Sequence, residues 1–348
     1  MALTIVEVAP AITGGVDTHR DTNVAAALDP IGGLLGTESF ATTGAGNREL
    51  LAWLRSFGDV VKVGVEGTGT YGSQLARFLA GEGVTVIEVN RPNRQERRRA
   101  GKSDTLDAVE AARAALSGKA NAIAKGRDGN VEAIRMLMVA KRSARQARAK
   151  AVIQMRHVVI TAPEELHRRF TGLTVHQLVI QAARLRPSTS SGVVVAATKA
   201  SLSSLAQRVL RLDDELADLD TRIVELLKAT APALLDVFGV GPDTAAALLI
   251  AAGDNPQRLH SEAAWARLCG AAPIPASSGQ TSGRFRLNIG GDRQANSALW
   301  RIAMVRIAHD PRTTTYFKTR VDQGRPKPEV IRTLKRYIAR EVYAYLPR

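Results

Sequence analysis

The chain has 348 residues, 45% of them hydrophobic, with 48 Lys and Arg against 33 Asp and Glu, a formal net charge of +15. That length is enough for two or three domains with proper cores. The cationic excess predicts a polyanionic partner, nucleic acid ahead of a membrane, because no stretch has the length and polarity of a transmembrane span. The one cysteine, Cys269, closes no intramolecular disulfide and no zinc site, which fits a reducing cytoplasm. Met1 to Pro10 has no basic region ahead of an apolar core, so no signal peptide is expected. Aromatics make up 4% of the chain, too few for broad base-stacking platforms.

Strands are predicted at Ile12 to Thr18, Asn23 to Leu28 and Leu34 to Phe40, with Pro30-Ile31-Gly32-Gly33 turning the chain. Asn47 to Phe57 reads as an amphipathic helix with Leu50, Leu51, Trp53 and Leu54 inward. Val60 to Val65 is a strand of the continuous apolar kind, running into Glu66-Gly67-Thr68-Gly69-Thr70-Tyr71. A helix over Tyr71 to Gly81 and a strand over Val84 to Val89 follow. A polar link, Asn90 to Gly101, leads to a helix that begins at Lys102-Ser103-Asp104-Thr105-Leu106-Asp107, with Ser103 as its N-cap.

Three meandering strands, helix, strand, helix, strand, helix is the order of a ribonuclease H-like domain. In that architecture the first and fourth strands are neighbours, and the last helix crosses their ends. Asp17, Glu66, Asp104 and Asp107 then converge. Each acid has a bland reading alone: Asp17 as a turn former, Glu66 as a helix cap, and Asp104 and Asp107 as first-turn acids on the helix dipole. Four buried negative charges together need a cation. Oxygen ligands of this kind suit Mg²⁺, with Mn²⁺ as the alternative, and two such ions about 4 Å apart serve phosphoryl transfer.

The link Arg91-Pro92-Asn93-Arg94-Gln95-Glu96-Arg97-Arg98-Arg99 and Lys102 flank these acids. Arg94, Arg97, Arg98, Arg99 and Lys102 are read as phosphate contacts, a solvated loop being the alternative. Val131 to Ile160 is a long helical pattern with seven Lys or Arg and one acid. Arg142, Arg145 and Arg148 fall roughly on one face of it and are read as nucleic-acid contacts. Ser201 to Leu227 carries Leu202, Leu205, Val209, Leu212, Leu216, Leu219, Ile223 and Leu226 at coiled-coil gaps. That pattern fits a self-association arm or a helix packed on its own domain. In Leu234 to Ala246, Gly239 and Gly241 permit a tight turn whose amides can approach a phosphate, as in a helix-hairpin-helix. Arg320 to Arg340 is basic again and is also read as backbone contact.

Gly15-Val16-Asp17-Thr18-His19, Glu66-Gly67-Thr68-Gly69-Thr70-Tyr71 and Lys102-Ser103-Asp104-Thr105-Leu106-Asp107-Ala108 together resemble the DEDD transposases of the insertion sequence one-ten family. These are bridge-RNA-guided serine recombinases, related to the Piv-type DNA invertases. Gly67 stands where Ala is usual, and Arg91 precedes Pro92 where Asn-Pro is commoner. The resemblance implies a RuvC-like domain with Asp17, Glu66, Asp104 and Asp107 as Mg²⁺ ligands. It also picks out Ser278-Gly279, then Arg284 and Arg286, then Gly290-Gly291-Asp292-Arg293. Sequence physics alone does not select Ser278, since no histidine lies near it in the chain. By the resemblance Ser278 attacks a DNA phosphate to form a phosphoserine link, with Ser277 as second candidate and the acids brought close by assembly.

The expected layout is an α/β RuvC-like mixed-sheet domain over residues 10–125, basic helices and a coiled-coil-like arm over 126–232, and a mainly helical transposase domain over 233–348. The expected partners are donor and target DNA, a guide RNA carried by the resemblance alone, and further copies of the chain as a dimer or tetramer. No membrane is expected, and the location is the cytoplasm, at the nucleoid. Rival readings are a RuvC-like hydrolytic junction nuclease, a Piv-type invertase, and a non-catalytic nucleic-acid-binding protein.

Overall fold

Five strands between residues 11 and 89 form a mixed sheet. β1 (Ala11–Thr18), β2 (Thr22–Leu28) and β3 (Leu34–Ala41) are an antiparallel meander. β4 (Asp59–Glu66) lies parallel to β1, and β5 (Thr85–Val89) parallel to β4, giving the order β3-β2-β1-β4-β5. The computed structural model describes residues 9–89, 103–188, 192–255, 258–276, 285–286 and 288–347. They fall into two units: residues up to 129 with a returning segment 252–261, and residues 130–251 with 262–347.

In the first unit, α1 (Gly44–Arg55) and α2 (Ser73–Gly81) cover one face of the sheet. Ile12, Val16, Leu50, Leu51, Leu54, Val63, Val65, Leu75 and Leu79 form the core beneath them. α1 starts three residues before the sequence reading. The Thr43 side chain accepts from Gly46 N at 3.1 Å and caps a first turn containing two glycines, which propensity alone scores as loop. α3 (Asp104–Leu116) covers the opposite face, where Ala108 and Val109 pack on Val24 and Ala26. Ser103 takes the N-cap place of α3 without the capping bond; its hydroxyl pairs instead with that of Thr105 at 2.6 Å. β4 is buried only over its second half, from Val63 to Glu66. The free edge of β5 is covered by residues 122–124: Glu88 N donates to Ala122 O at 2.7 Å, and Ala124 N to Val86 O at 3.0 Å. The returning segment clamps this strip, with Asn255 Nδ2 donating to Ala124 O at 2.9 Å and Arg258 Nε to Ile123 O at 3.1 Å.

The second unit is helical. α4 (Asn130–Ile160) packs on the 38-residue α7 (Val193–Thr230), which begins eight residues before the leucine pattern of the sequence. Two short helices lie between them, α5 (Glu164–Phe170) and α6 (Val175–Ala183). Leu202 and Val209 of α7 share a core with Val152 and Met155 of α4 and Leu178 of α6. Buried Lys141 bridges Asp220 of α7 and Asp243. Then follow α8 (Pro232–Leu235), α9 (Pro242–Ala252), α10 (Glu262–Leu268) and a hairpin of β6 (Ile274–Pro275) with β7 (Phe285–Arg286). α11 (Arg293–His309), α12 (Pro311–Asp322) and α13 (Lys327–Tyr343) complete the unit, with α10, α11 and α12 all touching α13. Among the described residues no helix is long and apolar enough to cross a membrane. The architecture is thus an α/β mixed-sheet domain of RuvC-like order followed by a mainly helical region.

Candidate active site

The acids are placed by strand register and by two glycines. β1 and β4 are paired up to Val16 and Val65, so Asp17 and Glu66 stand side by side one step further on. Side chains alternate along a strand. Val16 and Val65 point into the core under α1 and α2, so Asp17 and Glu66 point to the α3 face. On that face the preceding same-side residues are Gly15 and Gly64. A Cβ at Gly15 would lie 2.2 Å from Ala112 N, and one at Gly64 would lie 2.4 Å from Ala111 O. With no side chain in the way, the α3 backbone rests directly on the sheet. Its first turn carries Asp104 and Asp107, three apart and therefore on one helical face.

Asp17, Glu66 and Asp107 are buried, at 6, 8 and 5% exposure, while the Asp104 side chain is half exposed. The Thr18 hydroxyl donates to Glu66 O at 2.8 Å and ties the ends of β1 and β4. Burial pushes the Asp17 carboxyl above its ordinary range; His19 pulls it back down, while the charges of Asp107 and Asp104 push it up again.

His19 was not singled out by the sequence reading. Its Nε2 lies 3.1 Å from Asp17 Oδ2 and 3.5 Å from Asp104 Oδ1. Asp17, His19 and Asp104 each offer one ligand atom, and the three atoms lie within 4.8 Å of one another. The signal in the sequence was the i, i+2 spacing from Asp17, which keeps two residues of an extended chain on one side. This donor set, carboxylate oxygens with one imidazole beside two further buried acids, fits a hard divalent cation.

The other sequence-predicted residues scatter. Arg94, Arg97, Arg98, Arg99, Lys102, Ser277, Ser278 and Arg284 lie outside the described residues. On α4, Arg142 is exposed, Arg145 donates to Asp243 at 3.0 Å and Arg148 to Asp213 at 3.1 Å. Gly239, at φ 83°, turns the chain between α8 and α9. Gly241 N donates to Thr244 Oγ1 at 2.9 Å, within that turn. Arg286 is exposed on β7, and Arg293 opens α11 behind its N-cap Asp292. Cys269 is fully buried, and burial pushes its thiol well up, which fits a packing role.

Two family models match the chain. Residues 14–162 match DEDD_Tnp_IS110, described as a transposase, and residues 231–318 match the transposase IS116/IS110/IS902 family. The first match holds all four acids and His19, and the second holds Ser278. Among curated proteins, the insertion element IS900 uncharacterized 42 kDa protein of Mycobacterium paratuberculosis is 30% identical over 175 residues. That match covers 50% of this chain and 43% of the relative. The insertion element IS110 uncharacterized 43.6 kDa protein of Streptomyces coelicolor is 30% identical over 145 residues, 41% of this chain and 36% of the relative. Each match spans less than half of the relative's own length. With two transposase domain models matched in order along the chain, and with relatives drawn from two insertion elements, the chain is similar to the IS110 family of transposases.

Proposed function

We propose that the chain cuts and rejoins DNA strands as the transposase of an insertion element, with Asp17, Glu66, Asp104 and Asp107 as ligands of Mg²⁺ or Mn²⁺ and Ser278 as nucleophile. The observation that carries this reading is the convergence of the acids. Gly15 and Gly64 let α3 settle on the sheet, and the charges of Asp104 and Asp107 act on buried Asp17. A bound divalent ion supplies charge stabilisation on the phosphoryl oxygens and on the departing oxygen.

The residues of the chain do the rest. Ser278 Oγ forms a bond to the DNA phosphorus as the bond from phosphorus to the leaving strand oxygen breaks. The serine proton goes to solvent, and the leaving strand oxygen takes a proton from solvent and departs as a hydroxyl. Attack by a strand hydroxyl on the phosphoserine reverses the step and rejoins DNA. His19 holds Asp17 and Asp104 in place, and the Thr18 to Glu66 bond fixes the two strand ends. The basic link at Arg94, Arg97, Arg98, Arg99 and Lys102, Arg142 on α4, and Arg284, Arg286 and Arg293 contact phosphate backbones. Arg145 and Arg148 do so through donors left over from their ion pairs. The α8–α9 turn at Gly239 and Gly241 serves as a helix-hairpin-helix contact. A guide RNA from the element directs the choice of DNA, and copies of the chain assemble so that serine and acids meet. The family resemblance supports both points, and the +15 charge is compatible with the guide RNA.

The test is a strand-transfer reaction with Mg²⁺, guide RNA, donor and target DNA, in which covalent protein–DNA species are trapped. Wild type is expected to recombine and to form the covalent species. Asp17→Ala and Ser278→Ala are both expected to lose recombination, and Ser278→Ala to lose the covalent species. Cleavage by Ser278→Ala but not by Asp17→Ala would replace this reading with a hydrolytic nuclease.

A further inference from the structure

The second unit holds a groove of about 1240 Å³, of whose lining only Arg286 and Arg293 have been given a role. Its walls come from Gly270–Pro273, β7, the outer face of α11 and the first turns of α13. Arg286, Arg293, Lys327, Arg332, Lys335 and Arg336 line it, against Glu329 as the acid of the lining. Glu329 is paired with Arg325 at 2.6 Å, and Arg336 with Glu262 at 2.9 Å. Among the described residues Arg286, Arg293, Lys327 and Arg332 have no acid partner. Lys335 donates to Asn296 Oδ1 at 2.8 Å, and Asn296 in turn donates to Cys269 O at 2.8 Å, so its ammonium is held at the wall. Burial and the nearby Arg332 charge both press Lys335 towards its neutral form. Repulsion among crowded cations is relieved by an anion.

The groove also exposes apolar surface. Trp300 is 47% exposed and lines it; Phe285 and Ile289, also in the lining, are 63 and 90% exposed. Trp265 is fully buried and Trp53 is packed against Phe40 and Phe57. Trp300 therefore stands apart as an open indole face. Among the described residues no guanidinium covers Trp300 or Phe285; those that stack on rings lie over Phe170 and Tyr316. A site for phosphate alone has no use for an open indole, and an apolar peptide has no use for unpaired cations. Duplex DNA offers phosphates but keeps its base faces stacked away. Unpaired nucleotides offer both phosphates and faces.

We infer that this groove seats an unpaired DNA strand, a base stacking on Trp300 while its phosphates lie along Arg286, Arg293, Lys327 and Arg332. The choice of DNA over RNA rests on the proposed function, in which DNA is the strand that is cut and rejoined. Pro273 and Phe285 both line the groove. Its α13 wall lies beyond residues 231–318, the stretch matched by the second family model.

The experiment uses the full chain carrying Asp17→Asn, in chelator, so that the acids take no part. Anisotropy of fluorescein-labelled single-stranded DNA, the matching duplex and the matching single-stranded RNA is measured against the chain. Trp300→Ala is expected to weaken single-stranded DNA binding by about five- to a hundredfold and to leave duplex binding within about twofold. Trp300→Phe keeps a ring face and should retain most of the affinity. Lys327→Gln with Arg332→Gln should weaken binding and flatten its salt dependence. An iodouracil-substituted strand should crosslink at Trp300 or Phe285. An unchanged single-strand affinity in Trp300→Ala, an equal loss for duplex, or RNA binding as tight as DNA would each overturn the assignment. If strand transfer by wild type fails while Trp300-dependent single-strand binding persists, the proposed function falls and the groove stands. If strand transfer succeeds without that binding, the groove falls alone.

Discussion

A methyl group at Gly15 would sit 2.2 Å from the Ala112 nitrogen and 2.3 Å from the Ala108 oxygen, both backbone atoms of α3. Neither can yield without moving the helix, and Asp104 and Asp107 ride on that helix. Gly15→Val is therefore expected to cost roughly 1–3 kcal/mol of stability by overpacking and to weaken divalent-ion binding as well. Gly81→Ala is the control. An added Cβ there meets nothing within 4 Å, and the position lies in a helix, so stability should hold or rise slightly. Urea unfolding of both variants, with calorimetric ion titration, reads the result. A Gly15→Val chain with wild-type stability and ion affinity would show that the close approach does not position the acids. The positions of Asp17, Glu66, Asp104 and Asp107 were legible because strand ends and a helix start are visible in hydrophobic patterning. His19 was not singled out: its i, i+2 spacing from Asp17 was visible, but its approach to Asp104 joins the residue after β1 to α3 and leaves no trace in spacing.

The long helices show the same boundary between pattern and contact. Periodicity was sufficient to locate α4 almost residue for residue and to see the apolar stripe of α7. It missed the start of α7, where Val193-Val194-Val195 reads as strand by propensity, and it missed the short α5 and α6, which tertiary packing holds. It also placed Arg145 and Arg148 on α4 without naming the acids that meet them. Asp213 lies on α7 and Asp243 at the start of α9, both more than sixty residues further on. Asp243 is partly buried, which opposes its ionisation, but hydrogen bonds and charge from Lys141 and Arg145 outweigh this and hold its carboxyl below the ordinary range. A carboxylate depressed in the folded state adds stability above its unfolded pKa and loses it as pH falls through the folded value. Asp243→Asn should thus cost roughly 1–3 kcal/mol at neutral pH. The gap to wild type should close as acid protonates Asp243. Denaturant midpoints at neutral and acidic pH check this, and a gap that does not change with pH would contradict it.

Across the whole chain, the +15 charge coexists with a buried acidic cluster in the first unit. A basic protein that concentrates carboxylates at one place sets against phosphate backbones a local site that repels them unless a cation intervenes. The order of elements made the RuvC-like sheet readable, and the family motifs pointed to Ser278. The returning segment 252–261 was not readable, because its hold on residues 122–124 depends on Asn255 and Arg258 meeting backbone carbonyls far away in sequence. The most direct test of the central claim is titration of Mn²⁺ and Mg²⁺ into the full chain by calorimetry. Wild type is compared with the Asp17→Asn/Asp107→Asn double variant and with Asp214→Asn, an exposed acid on α7. Wild type and Asp214→Asn should bind alike, and the double variant should lose about tenfold or more in affinity. Equal binding by all three proteins would contradict the claim that these acids form the ion site.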